Sequence, residues 1–148
     1  MLQIERSAEA VWKGDLKSGQ GVTSTETGVL KQVPYSFRTR FEDDKKGTNP
    51  EELIAAAHAA CYSMALSNML ASAGHAPREI RTTARLTLAK TETGFKISKI
   101  HLDTVGTVDG IDEDTFQATA EKAKHGCPVS QLLKPGLEEL SLRATLKR

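Results

Sequence analysis

The sequence has few aromatic residues, no run of basic residues and only two cysteines. Of its 148 residues, 5% are aromatic, and the formal net charge is +1. The core must therefore consist mainly of Leu, Ile, Val and Ala side chains. The lack of a basic run or an aromatic–basic stripe argues against nucleic-acid binding. Gly-rich phosphate loops, a recognisable Ser-His-Asp arrangement and paired catalytic carboxylates are also missing from the sequence.

The sequence also lacks the usual features of membrane and secreted proteins. No apolar stretch approaches the roughly 20 residues of a membrane span, because Glu, His, Ser and Asn interrupt the Ala-rich segment after Asn49. Residues Met1 to Arg6 lack the apolar core of a signal peptide, which predicts a cytoplasmic protein. Permanent structural disulfides are rare in that compartment, so any pairing of the cysteines would be transient and functional.

The hydrophobic pattern predicts one α+β domain over residues 1–148, in the order βββ-α-ββ-α-β. The predicted strands cover residues 2–14, 20–27, 35–42, 79–90, 95–108 and 139–147. In the third strand, alternation would place Arg38 and Arg40 on one face. A change of phase in the fifth strand predicts a β-bulge near Ser98 and Lys99.

A long central helix has clear start and stop signals in the sequence. Thr48 or Asn49 can cap its N-terminus, Pro50 suits its first turn, and Gly74 is a natural terminator. About 24 residues give a helix of roughly 36 Å, and its alanines predict close packing in the centre of the fold. A second helix is predicted over residues 112–125, and a short helical segment opens at Pro128.

The two cysteines are the first candidates for chemistry. Cys61 lies within the long helix, whereas Cys127 follows the terminator Gly126 and precedes Pro128, beside a helix N-terminus. A buried, inert thiol is the ordinary explanation of a cysteine in an Ala-rich helix. The second cysteine, where amide dipoles favour a thiolate, instead suggests a pair that cycles between dithiol and disulfide. Such a pair could serve a peroxidase or a redox sensor.

Charged residues near the long helix could assist a thiol. Arg38 or Arg40 could stabilise a thiolate, or both could be a solvated basic edge, and alternation does not choose between them. Glu51 could orient such an arginine. Ten residues separate Glu51 from Cys61, about 15 Å and roughly 80° around one helix. Direct contact is therefore excluded, and Glu51 would act through an arginine or serve a second subunit.

A zinc site is the competing hypothesis for the same region. His58 and Cys61 share a helix face, and His125 lies two residues before Cys127, so the four could form a Cys2His2 site in a zinc-stabilised binding module. This spacing has low specificity, and both histidines have ordinary structural explanations.

Several motifs resemble one known family along essentially the whole chain. These are Thr48-Asn49-Pro50-Glu51-Glu52-Leu53, Ala57-His58-Ala59-Ala60-Cys61 and Cys127-Pro128-Val129-Ser130-Gln131. They resemble the osmotically inducible protein C (OsmC) and organic hydroperoxide resistance (Ohr) family, and are more similar to its OsmC branch.

The resemblance implies an intertwined homodimer with an OsmC-like fold and a thiol-dependent peroxidase site at the subunit interface. By position, Cys61 is the peroxidatic cysteine, Cys127 the resolving cysteine, Arg40 the arginine and Glu51 its acidic partner. The resemblance further implies organic hydroperoxide substrates, a dihydrolipoyl reductant and a role in oxidative and osmotic stress defence. It implies no metal or other cofactor.

Overall fold

The computed structural model describes residues 2–148, which divide into two compact units, one up to Leu53 and one from Ile54 to Arg148. Each unit contains a three-stranded sheet, with strand orders β1-β2-β3 and β4-β5-β6. The α+β fold class is therefore confirmed. One domain over residues 1–148 stays a prediction.

The first unit is an antiparallel meander followed by a single helical turn. Its elements are β1 (Ala8–Lys13), β2 (Gln20–Thr25), β3 (Val33–Tyr35) and α1 (Phe37–Phe41). The Trp12 and Tyr35 rings lie 5.5 Å apart, and both crowd Gly21, where an added Cβ would approach each ring to 2.6 Å. Glycine at this position lets the two aromatic side chains close over β2.

The predicted strand over residues 35–42 is wrong. The strand ends at Tyr35, and Ser36 opens α1 through a capping box: its Oγ accepts from the Thr39 amide at 3.3 Å, and Thr39 Oγ1 accepts from the Ser36 amide at 2.8 Å. Arg38 and Arg40 therefore lie on a helix, where two residues are about 200° apart. They do not share a face.

The second unit contains the long helix and the second sheet. The helix α2 (Pro50–Ser72) starts in the first unit and continues into the second. The other elements are β4 (Glu79–Thr91), β5 (Gly94–Thr107), α3 (Glu113–Gly126), α4 (Pro128–Leu133), a 3-10 turn (Lys134–Gly136) and β6 (Glu139–Lys147). Strand β5 pairs antiparallel with β4 and parallel with β6. The element order agrees with the prediction except for the added short helix α1, and the short helical segment predicted to open at Pro128 is confirmed as α4.

The predicted bulge in β5 is confirmed. Thr87 pairs with Lys99, but the next residue, Leu88, pairs with Ile97, so Ser98 is the extra residue. This one-residue change of register keeps the apolar side chains of β5 on the covered face of the sheet, both before and after the bulge.

One face of α2 forms the centre of the second unit. His58, Tyr62, Leu66 and Leu70 follow one another at intervals of four, and all four are fully buried. This interval places side chains one above the next along a helix. They join a core that includes Leu102 of β5.

The rest of α2 is apolar but largely uncovered within the chain. By length and composition the helix could cross a membrane, although only 22% of its most apolar window is buried. The sequence-based expectation that no apolar stretch approaches the length of a membrane span is therefore wrong. Length and composition alone do not distinguish a membrane span from a helix covered by protein.

The start of α2 yields a stability prediction. Asn49 Oδ1 accepts from the Glu52 amide at 2.7 Å, and its Nδ2 donates to the Thr39 carbonyl at 3.1 Å. Asn49→Ala removes both bonds and should lower the free energy of unfolding by about 1–2 kcal/mol, measured by urea denaturation. Asn49→Asp retains the capping acceptor and should lose less. Equal losses in the two variants would contradict the capping role.

Candidate active site

The structure brings the two cysteines together. Cys61 lies in the middle of α2, and Cys127 is both the last cap of α3 and the first cap of α4. Their thiols are close enough to hydrogen-bond, and both are free of disulfides. Cys127 is fully buried, whereas Cys61 is half-buried. Of the two sulfurs, Cys61 is therefore the more accessible to a solute.

The local sequence explains the position of Cys127. Its amide donates to the Ala123 carbonyl at 2.9 Å and so closes α3. Pro128 then takes the first position of α4, where a missing amide hydrogen costs nothing. The Cys127 carbonyl accepts from the Gln131 amide at 3.0 Å. This junction fixes the backbone of Cys127 between two helices.

Burial and two neighbouring residues influence the Cys61 thiol. Burial raises its pKa most strongly, a hydrogen bond with Cys127 raises it further, and a hydrogen bond from the Val129 amide lowers it. The net effect is a raised pKa. We expected the amides at the start of α4 to act on Cys127, yet the Val129 amide acts on Cys61. The amide carries no sequence signal of its own, so only the fold reveals it.

A buried histidine–serine pair lies beside the thiols. His58 Nε2 and Ser130 Oγ are 2.7 Å apart, and both side chains are almost completely buried. Burial lowers the pKa of His58, which favours the neutral ring. Within residues 2–148, His58 Nδ1 has no hydrogen-bond partner. From the sequence, His58 was either a zinc ligand or an ordinary helix residue; its partner in the fold, Ser130, lies 72 residues away and carries no signal in the spacing.

Arg40 and Glu51 form a partly buried ion pair in the first unit. Arg40 Nε donates to Glu51 Oε1 at 2.8 Å and Nη2 donates to Oε2 at 3.1 Å, so the contact is bidentate. Arg38 instead points into solvent near Glu42 and Asp44, at 3.6 and 3.9 Å. Alternation did not distinguish Arg38 from Arg40 as the partner of Glu51. In the structure, that partner is Arg40.

A small cavity opens beside Arg40 in the first unit. Its volume is about 240 Å³. Aromatic and aliphatic side chains form most of its wall, namely Trp12, Leu16, Tyr35, Phe37, Phe41 and Pro50. One cation in an otherwise apolar wall suits a ligand with a polar end and a hydrocarbon body.

The zinc hypothesis is not supported by this arrangement. In the part of the chain that the structure describes, no three residues among His, Cys, Asp and Glu are grouped to hold a metal ion. His58 is bound to Ser130, while His125 lies at the surface near Glu121 and Lys134, at 3.3 and 3.4 Å. The four proposed ligands do not converge.

Burial of His58 predicts a pH-dependent contribution to stability. The folded pKa is lowered relative to the ordinary value of 6.5, so the unfolded chain binds the proton first as the pH falls. The contribution of His58 should be complete above about pH 6.5 and diminish below it. His58→Gln removes this titration. Urea denaturation of the wild type and of His58→Gln between pH 7.5 and 5 gives the free energy of unfolding of each. The difference between the two should decrease as the pH falls; a constant difference would contradict a buried neutral His58.

Comparison with known proteins agrees with this geometry. The family model described as OsmC-like protein matches residues 42–138. The chain is 55% identical to Peroxiredoxin OsmC of Escherichia coli (strain K12) over 146 residues, 99% of each chain. It is 35% identical to organic hydroperoxide resistance protein OhrA of Bacillus subtilis (strain 168), over 74% of this chain and 77% of the relative.

Solved structures support the fold. The crystal structure of an organic hydroperoxide resistance protein from Legionella pneumophila matches with a TM-score of 0.70 at 23% identity, over 95% of this chain and 98% of the other. At this identity the match shows the fold alone. Together with the family model and the sequence relatives, it shows that the chain belongs to the OsmC-like family of peroxide-detoxifying enzymes, closer to the OsmC branch than to the organic hydroperoxide resistance branch.

Proposed function

We propose that this protein is a cysteine-based peroxidase that reduces organic hydroperoxides, and hydrogen peroxide less well, to the corresponding alcohols or water. The observation that carries the proposal is the proximity of a half-buried Cys61 to a fully buried Cys127, whose side chain raises the pKa of the Cys61 thiol. The accessible thiol suits attack on a substrate, and the buried thiol suits the second step.

The chemistry needs only the two thiols and an external reductant. The Cys61 thiolate attacks the outer oxygen of the hydroperoxide and becomes a sulfenic acid as the O–O bond breaks; the alkoxide leaves and takes a proton to become the alcohol. The Cys127 sulfur then displaces water from Cys61 and forms the Cys61–Cys127 disulfide. A dithiol, for which we propose a dihydrolipoyl group, restores both thiols and is itself oxidised to a disulfide.

We further propose that Arg40 and Glu51 serve this site. The thiolate is the reactive form of cysteine, and the described neighbours of Cys61 raise its pKa, so a cation is needed to offset burial. Glu51 holds the Arg40 guanidinium through two hydrogen bonds, which leaves its remaining donors for a peroxide oxygen or a thiolate. The apolar wall beside Arg40 supports an organic substrate.

An intertwined homodimer is part of the proposal. Ala56, Ala60, Met64 and Ala71 lie on one exposed line of α2, which is apolar except at Asn68. Small side chains permit the close approach of a second backbone, and a second copy would cover a helix that is too apolar to remain in water. The proposed setting is cytoplasmic defence against oxidative and osmotic stress; the names of two relatives, Peroxiredoxin OsmC and organic hydroperoxide resistance protein OhrA, support its oxidative part.

Two cysteine variants test the peroxidase mechanism. With cumene hydroperoxide and dihydrolipoamide, Cys61→Ser should abolish turnover, because no nucleophile remains at the accessible position. Cys127→Ser should complete about one turnover and then accumulate Cys61 sulfenic and sulfinic acids. Peroxide consumption and the mass of the intact protein measure both. Full activity of Cys61→Ser would refute the mechanism, and a single stoichiometric oxidation of the wild type despite excess dithiol would favour the redox sensor.

The arginine assignment is tested by a matched pair of substitutions. Arg40→Lys keeps the charge but loses the bidentate contact with Glu51, so the rate constant of Cys61 with cumene hydroperoxide should fall roughly 10- to 100-fold. Arg38→Lys changes a solvent-exposed arginine two residues away and should leave the rate within about twofold. Stopped-flow fluorescence or peroxide consumption under single-turnover conditions gives these rates. Equal losses in the two variants would remove Arg40 from the site.

A further inference from the structure

The buried pair His58–Ser130 has no part in the steps described above, yet it joins the same two helices as the thiols. His58 precedes Cys61 by three residues on α2, and Ser130 follows Cys127 by three residues in α4. Their 2.7 Å hydrogen bond is therefore one helical turn away from the sulfur contact on each helix. The two contacts connect α2 and α4 side by side.

The helix that carries Ser130 depends on tertiary contacts. Helix α4 has only six residues, and within the described chain its cap Cys127 makes no side-chain capping hydrogen bond. A helix of this length has little stability of its own. The Ser130 hydroxyl gives α4 a directional bond to α2, which apolar contacts alone do not provide.

The orientation of the bond follows from burial of the ring. If Nδ1 carried the proton, a buried N–H would lack a partner, which is rarer and costlier than an unpaired acceptor. The favoured tautomer is therefore Nε2–H donating to Ser130 Oγ.

We propose that His58 and Ser130 are positioning residues whose hydrogen bond holds Cys127 within disulfide-forming reach of Cys61. The proposal rests on the thiol cycle of the proposed function and assigns the pair to its second step. Disulfide formation requires the two Cα atoms to be within about 7 Å, in a restricted orientation. If α4 were free to shift against α2, Cys127 would spend less time in that orientation, and the Cys61 sulfenic acid would survive longer.

Ser130→Ala in the full-length protein is the primary test. Equilibration with oxidised and reduced glutathione measures the equilibrium constant for formation of the Cys61–Cys127 disulfide. In this reaction the two thiols and one oxidised glutathione give the protein disulfide and two reduced glutathiones. Loss of one hydrogen bond should lower this equilibrium constant about tenfold. In single turnover with cumene hydroperoxide, the rate of Cys61 oxidation should stay within about twofold, while trapping of the sulfenic acid by dimedone should increase.

The chain offers a matched control in a second histidine–serine pair. His101 Nδ1 and Ser141 Oγ are also 2.7 Å apart, but they lie on the paired strands β5 and β6. Ser141→Ala should leave the glutathione equilibrium constant within about twofold of the wild-type value. An unchanged constant in Ser130→Ala, or an equal decrease in both serine variants, would overturn the positioning role.

Two histidine substitutions keep the proposal testable if Ser130→Ala does not fold. The amide nitrogen of His58→Gln lies near the place of Nε2 and can still donate to Ser130, whereas the shorter His58→Asn resembles only the Nδ1 edge. Gln should retain the equilibrium constant within about threefold and Asn should reduce it about tenfold; identical values would overturn the proposal. Because glutathione exchange needs no hydroperoxide, a wild type without peroxidase activity would refute the proposed function while leaving this test intact.

Discussion

Packing of the α3–α4 junction against one face of α2 is the constraint on which the chemistry of the second unit depends. The fully buried face His58–Tyr62–Leu66–Leu70 provides the contact. Two of its members also make directional bonds, from Tyr62 to the Ala120 carbonyl at 2.9 Å and between His58 and Ser130 at 2.7 Å. Cys61 lies at the margin of this face, next to Tyr62. Any shift of the junction would therefore change the distance between the two sulfurs before it changed the rest of the core.

The site combines two requirements that oppose each other. Burial keeps Cys127 away from peroxide and makes the thiol contact possible, but the same burial raises the pKa of Cys61 and so disfavours the reactive thiolate. The Val129 amide offsets part of this effect. An amide carries only a partial charge, whereas a guanidinium carries a full one that does not titrate. This is the physical reason for including the oriented Arg40–Glu51 pair in the proposed mechanism, and it explains why the pair is rigid and bidentate rather than solvated like Arg38.

The sequence predicted features that depend on neighbouring residues. The limits of α2 follow from Asn49 and Gly74, and the bulge at Ser98 follows from a change of alternation. The sequence prediction failed at residues 35–42, where alternation of aromatic with polar side chains favoured a strand but the Ser36–Thr39 capping box formed a helix. Contacts between distant residues lay beyond pattern analysis: 66 positions separate the cysteines and 72 separate His58 from Ser130. Motif resemblance identified the cysteines as a pair, but spacing alone could not have revealed the histidine–serine contact.

The choice of a histidine at position 58 is informative because packing alone does not require one. The other three members of the buried face are Tyr62, Leu66 and Leu70, and a leucine at position 58 would continue that pattern. Burying an imidazole instead costs desolvation and leaves Nδ1 without a partner among the described residues. Apolar contacts tolerate sliding of one helix against another, whereas a 2.7 Å hydrogen bond does not. That restriction suits the proposed cycle, because two sulfurs form a disulfide only when α2 and α4 hold the two cysteines in a restricted orientation.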